Sequence, residues 1–420
     1  MPDKDIPFAL PFIGDEEKEA ALRVLDSGWL TTGKEAAAFE NEFAAFLGNP
    51  ASVPRTAARE TAPLRAFAVN SATSGLHLAL EACGTGPGDT VLLPSYTFAS
   101  DAEVVRYLNA EPVFIDIKPG TFHIDPDALE AALDRLSKGL PAYPGGPAGR
   151  PAAVIPVHYA GLPCGMEPIL ELARHYGARV IEDAAHSFPS LLSDGRFAGT
   201  LGDAGVFSFY ATKTITTGEG GMVVTRDPEI AGRVRVMRLH GIDRDVWNRY
   251  TDRGSSWYYE VVEPGYKYNL PDILAAVGRV QLKRAWELLA MRKEIAARYD
   301  GAFRDNPRII IPPTGTGDAR HLYPVRIKGG PPAIDRDTII DKLKERGIGV
   351  SVHFIPLHIM PYYKKRYDLE AEQFPESLKV FRQVISLPIW PGMTDNHIDR
   401  VIDAAGDITR GAGRSTGSGG

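Results

Sequence analysis

Short apolar runs alternate with helical patterns through the first two thirds of the chain. Residues 89–95, 110–117, 152–159 and 178–185 each form an apolar run typical of a buried strand. Segments with helical spacing lie between them, such as MEPILELARHYG. This alternation predicts an α/β sheet that is mostly parallel and covered by helices on both faces. Ligands of such sheets collect at the carboxyl ends of the strands, so functional residues are expected just after these runs.

The pattern changes in the last third of the chain. A long helical stretch is followed by a strand–helix–strand pattern from about residue 321 and by a final helix. We therefore predict a large α/β domain over residues 1–270, a long connecting helix over 271–303 and a smaller C-terminal α+β domain over 304–410. Residues 411–420, which are mostly glycine and serine, are predicted to be a flexible tail.

Composition narrows the class of protein. The 420 residues are 44% hydrophobic and 24% charged, with a formal net charge of -6. This balance gives no basic stripe for nucleic acid, and no apolar run approaches the roughly 20 residues that span a bilayer. The N-terminus lacks the features of a secretion signal, and two cysteines are too few for a disulfide framework. The sequence therefore predicts a cytoplasmic protein that binds neither nucleic acid nor membrane.

One lysine stands in an otherwise apolar, hydroxyl-rich and glycine-rich segment, FSFYATKTITTGEGGMVV. Lysine is seldom buried, and its amine loses charge readily when water is removed. Lys213 is therefore either a surface residue or a neutral nucleophile. Asp183 ends a predicted strand in VIEDAAHSF, with His186 three residues further on. Alone, Asp183 also fits a helix N-cap or a surface ion pair.

Two further segments follow predicted strands. Thr73 and Ser74 begin a predicted helix, where free backbone N–H groups bind anions, although an ordinary N-cap fits as well. Phe98 in PSYTFAS offers an aromatic face to a flat ring, although core packing is equally consistent. An anion cradle, an aromatic wall, a carboxylate and one amine together match pyridoxal 5'-phosphate. His158, His353 and His358 lack metal-ligand spacing, and no metal is predicted.

The segments NSATSGLHLAL, PSYTFAS, EDAAHSF, GDAGVFSFYATKTITTGEGGMV and GYKYNLPDI resemble the nucleotide-sugar aminotransferase family (DegT-like) of fold-type-I pyridoxal phosphate enzymes. The resemblance runs in order along nearly the whole chain and is nearest to the branch that makes UDP-4-amino-4-deoxy-L-arabinose. It implies a seven-stranded, mostly parallel sheet in the large domain, with residues 1–30 near the substrate site.

The resemblance also implies roles for individual residues. Lys213 would bond covalently to the cofactor aldehyde, Asp183 would pair with the ring nitrogen and His186 would contact the ring hydroxyl side. The remaining residues implied to bind cofactor are Phe98 against the ring, Thr73, Ser74 and Ser208 at the phosphate, and Asn269 from a partner subunit. Trp29, Leu30, Thr31, His353 and Phe354 would line the substrate pocket.

The implied activity moves the amino group of L-glutamate to the C4 keto group of a nucleotide-linked keto sugar, in a homodimer with shared sites. Tyr210 is also common in the branch that acts at C3, so a C3 enzyme is an alternative. A dehydratase would replace Lys213 with histidine. A desulfurase would need a mobile catalytic cysteine, and a sugar-nucleotide-binding regulator would lack the covalent link.

Overall fold

The computed structural model describes residues 5–48, 62–243, 258–315, 317–328 and 335–411. The predicted tail, apart from residue 411, lies outside these ranges. Helices in the described chain are α1 (Asp15–Ser27), α2 (Lys34–Gly48), α3 (Ala72–Ala82), α4 (Ala99–Tyr107), α5 (Pro126–Ser137), α6 (Met166–Tyr176), α7 (Pro228–Met237), α8 (Asp272–Lys283), α9 (Ala285–Phe303), α10 (Arg336–Glu345), α11 (Pro361–Tyr367), α12 (Pro375–Gln383) and α13 (Asp395–Gly411).

The strands form two sheets. They are β1 (Arg65–Val69), β2 (Asp89–Pro94), β3 (Glu111–Ile115), β4 (Arg150–Val154), β5 (Arg179–Asp183), β6 (Ala204–Ser208), β7 (Gly221–Thr225), β8 (Ile309–Ile310), β9 (Tyr323–Ile327) and β10 (Val384–Leu387). The large sheet has the order β1-β7-β6-β5-β4-β2-β3, and β7 alone runs against its neighbours. Its strands are buried almost throughout, as expected for a sheet covered on both faces. The predicted fold class is confirmed.

The smaller sheet is antiparallel, in the order β10-β9-β8. It packs with α9, α10 and α13 around a core that includes Tyr299, Tyr323 and Val401. Ile6 belongs to this core and pairs with Ile348, so the start of the described chain packs on the small domain rather than on the large one. The next turn of chain brings Phe8 against His353, with ring centroids 5.3 Å apart.

The predicted long helix over residues 271–303 is divided into α8 and α9. Arg284 leaves helical geometry between them, with φ −94° and ψ 3°. Gln281 and Arg284 donate to the buried carboxylate of Glu17 on α1, at 2.7 and 2.9 Å. These hydrogen bonds connect the break to α1. Periodicity cannot reveal such a break, because both helices keep an apolar face.

The carboxyl ends of β2, β4, β5 and β6 lie at one edge of the large sheet, because these strands are parallel neighbours. The N-terminus of α3 joins this edge because β7 approaches it closely. A Cβ atom on Gly221 would lie 2.7 Å from the Ala72 nitrogen, so only glycine allows this packing. The edge therefore combines strand ends with the free N–H groups of a helix start.

Candidate active site

A cavity of about 320 Å³ opens at this edge. It contains eight of the residues that the sequence predicts for the site: Thr73, Phe98, Asp183, His186, Ser208, Lys213, His353 and Phe354. They come from segments up to about 280 positions apart in the chain: the parallel strand ends bring several of them together, and His353 and Phe354 come from outside the large sheet.

Lys213 lies in the turn after β6, where its backbone N–H donates to Tyr210 at 2.9 Å. Burial lowers the pKa of the Lys213 amine to about 8; the Asp183 carboxylate opposes this shift and the Arg292 guanidinium favours it. An amine with this pKa is partly neutral near pH 7, as a nucleophile requires. The solitary lysine of the sequence therefore lines the cavity at the strand ends.

Arg292 of α9 is a fully buried cation that sequence reasoning missed. Its guanidinium donates to the backbone carbonyls of Ile389 at 2.8 Å, His321 at 3.1 Å and Thr212 at 3.4 Å. Burial lowers the pKa of Arg292 to about 10. The side chain thus ties the residue before Lys213 to the small domain. In the helical pattern of α9, Arg292 occupies an ordinary polar position, so the sequence gives no indication that it is buried.

Asp183 ends β5 and is 7% exposed. Its Oδ1 accepts the Ala185 N–H at 2.9 Å. Burial raises the pKa of Asp183, whereas that N–H and the Lys213 amine lower it. A buried carboxylate with one backbone donor is poorly satisfied by the protein alone. It therefore has room for a cationic N–H donor in the cavity.

Aromatic and imidazole rings form the cavity walls. His186 accepts the Ala160 N–H through Nδ1 at 3.3 Å, and Phe354 stacks on it with centroids 5.8 Å apart. Burial lowers the pKa of His186 well below its ordinary value, which makes it a neutral contact. Phe98 is 57% exposed although it is apolar, and its ring lies 5.9 Å from that of Phe354. A flat ligand would cover this exposed face.

The N-terminus of α3 presents only part of its first turn to the cavity. Ser74 does not line the cavity, because its hydroxyl turns back to Asn70 Oδ1 at 2.7 Å and to the Ser71 carbonyl at 2.8 Å. The residues that face the cavity are Ser71, Ala72 and Thr73, with Ser208 opposite. Helix N-terminal N–H groups and hydroxyls suit a phosphate. The donors present therefore fit the phosphate, the ring and the aldehyde of pyridoxal phosphate.

Besides Ser74, four predicted residues lie outside this cavity. Trp29 lines a separate cavity of about 250 Å³ with residues of α1, α2 and α8, and Leu30 is exposed. Thr31 shares their turn, which Asp272 holds by accepting the Gly33 N–H at 2.7 Å. The fourth residue, Asn269, donates to Thr32 at 2.6 Å. The four therefore form one patch, distinct from the Lys213 cavity.

The cavity also contains residues that the sequence analysis did not single out as site residues: Thr97, Ser100, Tyr210, Thr212, Glu219 and His321. His321 is buried, and its Nδ1 has no hydrogen-bond partner among the described residues. Its position directly before β9 of the small domain is a signal that could have found it, since the cavity lies between the two domains.

Cys83 and Cys164 take no part in this site. Burial raises the pKa of each thiol to about 12, which leaves them as unreactive thiols.

Within the described ranges, no cluster of three or more His, Cys, Asp or Glu residues could hold a metal ion. The described helices include none with the length and apolarity needed to cross a membrane.

The fold and the cavity define the class of fold-type-I pyridoxal phosphate enzymes. The sequence profile of the DegT/DnrJ/EryC1/StrS aminotransferase family matches residues 11–405, and the chain belongs to this family. It is 43% identical over 410 residues to the spore coat polysaccharide biosynthesis protein SpsC of Bacillus subtilis (strain 168), covering 97% of this chain and 98% of SpsC.

Solved structures agree with this assignment. Spr1654 from Streptococcus pneumoniae, in its pyridoxamine phosphate form, superposes with a TM-score of 0.83 at 29% identity over 97% of this chain and 100% of its own. DesI, solved in the presence of its TDP-sugar product, superposes with a TM-score of 0.78 at 28% identity. The match covers 98% of this chain and 95% of the DesI chain. The predictions of the family and of pyridoxal phosphate as cofactor are confirmed.

Proposed function

We propose that this aminotransferase moves the amino group of L-glutamate to the C4 keto group of a nucleotide-linked keto sugar. The observation that carries the proposal is the Lys213 amine, with its pKa near 8, in one cavity with Asp183 and the α3 N-terminus. Bound pyridoxal phosphate supplies an electron sink. Lys213 would hold the cofactor through its aldehyde carbon, and its amine would carry a proton to and from the substrate carbon.

The other cavity residues would orient the cofactor and enclose the reacting atoms. Asp183 would hold the proton on the ring nitrogen, His186 would lie on the ring hydroxyl side, and Phe98 would cover one ring face. Ser71, Thr73 and Ser208 hold the phosphate through their hydroxyl and backbone donors. Phe354, which packs on His186, and the neighbouring His353 keep water from the reacting atoms.

A sugar nucleotide as amino acceptor is supported by the relatives, since SpsC is named for polysaccharide biosynthesis and DesI was solved with a TDP-sugar.

Transfer at C3 is the second candidate, because Tyr210 lines the cavity. The test is a panel of UDP-, GDP- and dTDP-linked keto sugars incubated with glutamate. NMR of the product should show nitrogen at C4. Nitrogen at C3 would favour the second candidate, and no 2-oxoglutarate with any sugar would contradict both.

We also propose a cytoplasmic homodimer in which the Asn269 patch completes the partner's cavity. The patch of Trp29, Leu30, Thr31 and Asn269 lies outside its own chain's site, which supports this arrangement. The test mixes Lys213→Ala subunits with Asn269→Ala subunits. Random exchange should restore about a quarter of the wild-type activity, since each mixed dimer has one intact site. No restoration after verified exchange would contradict the shared site.

A further inference from the structure

Asp101, in the first turn of α4, is a second buried carboxyl beside the site. It is 0% exposed, and it stands behind the cavity wall formed by Thr97, Phe98 and Ser100. The Thr97 hydroxyl donates to its Oδ2, whereas its Oδ1 has no hydrogen-bond partner as a carboxylate. The titratable groups that act on it are the Asp183 carboxyl, with which it is within side-chain hydrogen-bonding reach, and the Lys213 amine. Asp183 in turn faces Lys213 and His158.

Two adjacent carboxyls in a dry interior cannot both be ionised at modest cost. Asp183 has a backbone N–H donor and lines the cavity together with Lys213, whereas Asp101 has a single hydroxyl donor and does not line it. The proton therefore belongs on Asp101. Once protonated, the unpartnered Oδ1 becomes a donor, and Asp183 is the acceptor next to it. A carboxylic acid in this position satisfies both side chains.

We propose that Asp101 is a positioning residue that carries a proton and donates it in a hydrogen bond to the Asp183 carboxylate, fixing that carboxylate toward the cavity. The proposal rests on the proposed function for the role of Asp183. Burial raises the pKa of Asp101 well above its ordinary value, and the neighbouring Asp183 charge raises it further, which agrees with a retained proton.

The first test uses the cofactor-free protein and therefore does not depend on the proposed function. A carboxyl whose folded-state pKa is raised stabilises the fold below its unfolded pKa and loses that contribution as pH rises through the folded pKa. Asp101→Asn removes this loss. The ratio of the folding constants, variant over wild type, should rise by up to about tenfold per pH unit above about pH 4. The exposed Asp127, in the first turn of α5, provides the matched control Asp127→Asn.

The second test measures the dissociation constant of pyridoxal phosphate and the pH titration of its visible absorbance. Asp101→Asn keeps a donor toward Asp183 and an acceptor for Thr97, so both readouts should remain within about threefold of wild type. Asp101→Leu removes the donor and should weaken cofactor binding by about tenfold or more, with a shifted titration. If the leucine variant does not fold, the asparagine variant decides the test.

Two results would overturn the proposal. One is a stability ratio for Asp101→Asn that does not change with pH; the other is loss of cofactor by Asp101→Asn. Failure of the wild-type protein to bind pyridoxal phosphate would instead contradict the proposed function and would leave the stability test valid.

Discussion

Glu182 and Asp183 are adjacent carboxylates at the end of β5, yet they have opposite surroundings. Glu182 accepts N–H groups of Gly199, Leu201 and Gly202 at 2.6–2.8 Å. His158 adds a fourth donor: its Nδ1 accepts the Cys164 N–H, so its Nε2 carries a proton toward Glu182 at 2.8 Å. Asp183 has one backbone donor and faces Lys213. Successive strand residues point to opposite faces of the sheet. Glu182 therefore binds backbone N–H groups on one face, whereas Asp183 lines the cavity on the other.

This difference makes a general point about buried charge. A carboxylate satisfied by several donors stabilises the fold and has no capacity left for a ligand. A carboxylate left with few donors costs stability and gains a partner only when a ligand arrives. Substitutions on the Glu182 side should therefore reduce stability, and substitutions on the Asp183 side should reduce activity.

Replacing the amine itself should have the largest effect. Lys213→Ala should lower turnover by more than about 10⁴-fold, because the same group binds the cofactor and carries the proton. The fold should be retained, since the change removes a buried, partly neutral amine. Steady-state kinetics and thermal unfolding check this, with exposed Lys118→Ala as the control. Turnover at the wild-type rate would refute the assignment.

The next largest effect is expected on stability, from the structural side of the pair. Glu182→Ala leaves three backbone N–H groups and His158 without an acceptor, and we expect a loss of about 3–5 kcal/mol in unfolding free energy. Chemical denaturation measures this, and exposed Glu130→Ala should change stability by less than about 0.5 kcal/mol. Glu182→Ala that unfolds like wild type would show that the donors have other partners.

Substitution of Asp183, which lines the cavity, should reduce the rate and leave stability unchanged. Asp183→Asn removes a charge-assisted hydrogen bond of about 1.5–3 kcal/mol, which corresponds to a rate loss of about 10- to 150-fold. Stability above pH 4 should not fall, because the folded-state pKa of Asp183 is raised and the ionised form is the disfavoured one. Kinetics and denaturation on the same samples separate the two quantities, with exposed Asp341→Asn as the control. If Asp183→Asn lost stability and kept the wild-type rate, the proposed difference between Glu182 and Asp183 would be contradicted.

The rate of cofactor capture should depend on pH. The neutral form of Lys213 is the nucleophile and its pKa is about 8, so the rate should rise about tenfold per unit below pH 8 and level off above it. Stopped-flow absorbance of the cofactor-free protein mixed with pyridoxal phosphate measures this. A rate that continues to rise toward pH 10.5 would indicate an ordinary exposed lysine.

The smallest effect is expected from the thiols. Cys83→Ala and Cys164→Ala should each leave transamination within about threefold of wild type, because buried, neutral thiols are inert. Assays of glutamate-dependent amino transfer and of sulfide release from cysteine test this together. Sulfide release that disappears with either substitution would support the desulfurase alternative.

The sequence predicted the parts of this site that follow from strand ends. Lys213, Asp183 and Phe98 each come just after an apolar run, and parallel strands place such residues at one edge. Ser74 does not line the cavity, because its capping hydroxyl turns back on its own helix, which residue type alone does not reveal. Asp101 was missed because an acid in the first helical turn has an ordinary explanation in the helix dipole. The Arg284 side chain at the helix break binds Glu17, which is far away in the chain.

The most direct measurement locates the covalent bond to the cofactor. The protein loaded with pyridoxal phosphate is treated with borohydride, which fixes the linkage, and digested for peptide mass mapping. The account predicts that the phosphopyridoxyl group is on Lys213. Finding that group on another lysine, or on none, would contradict it.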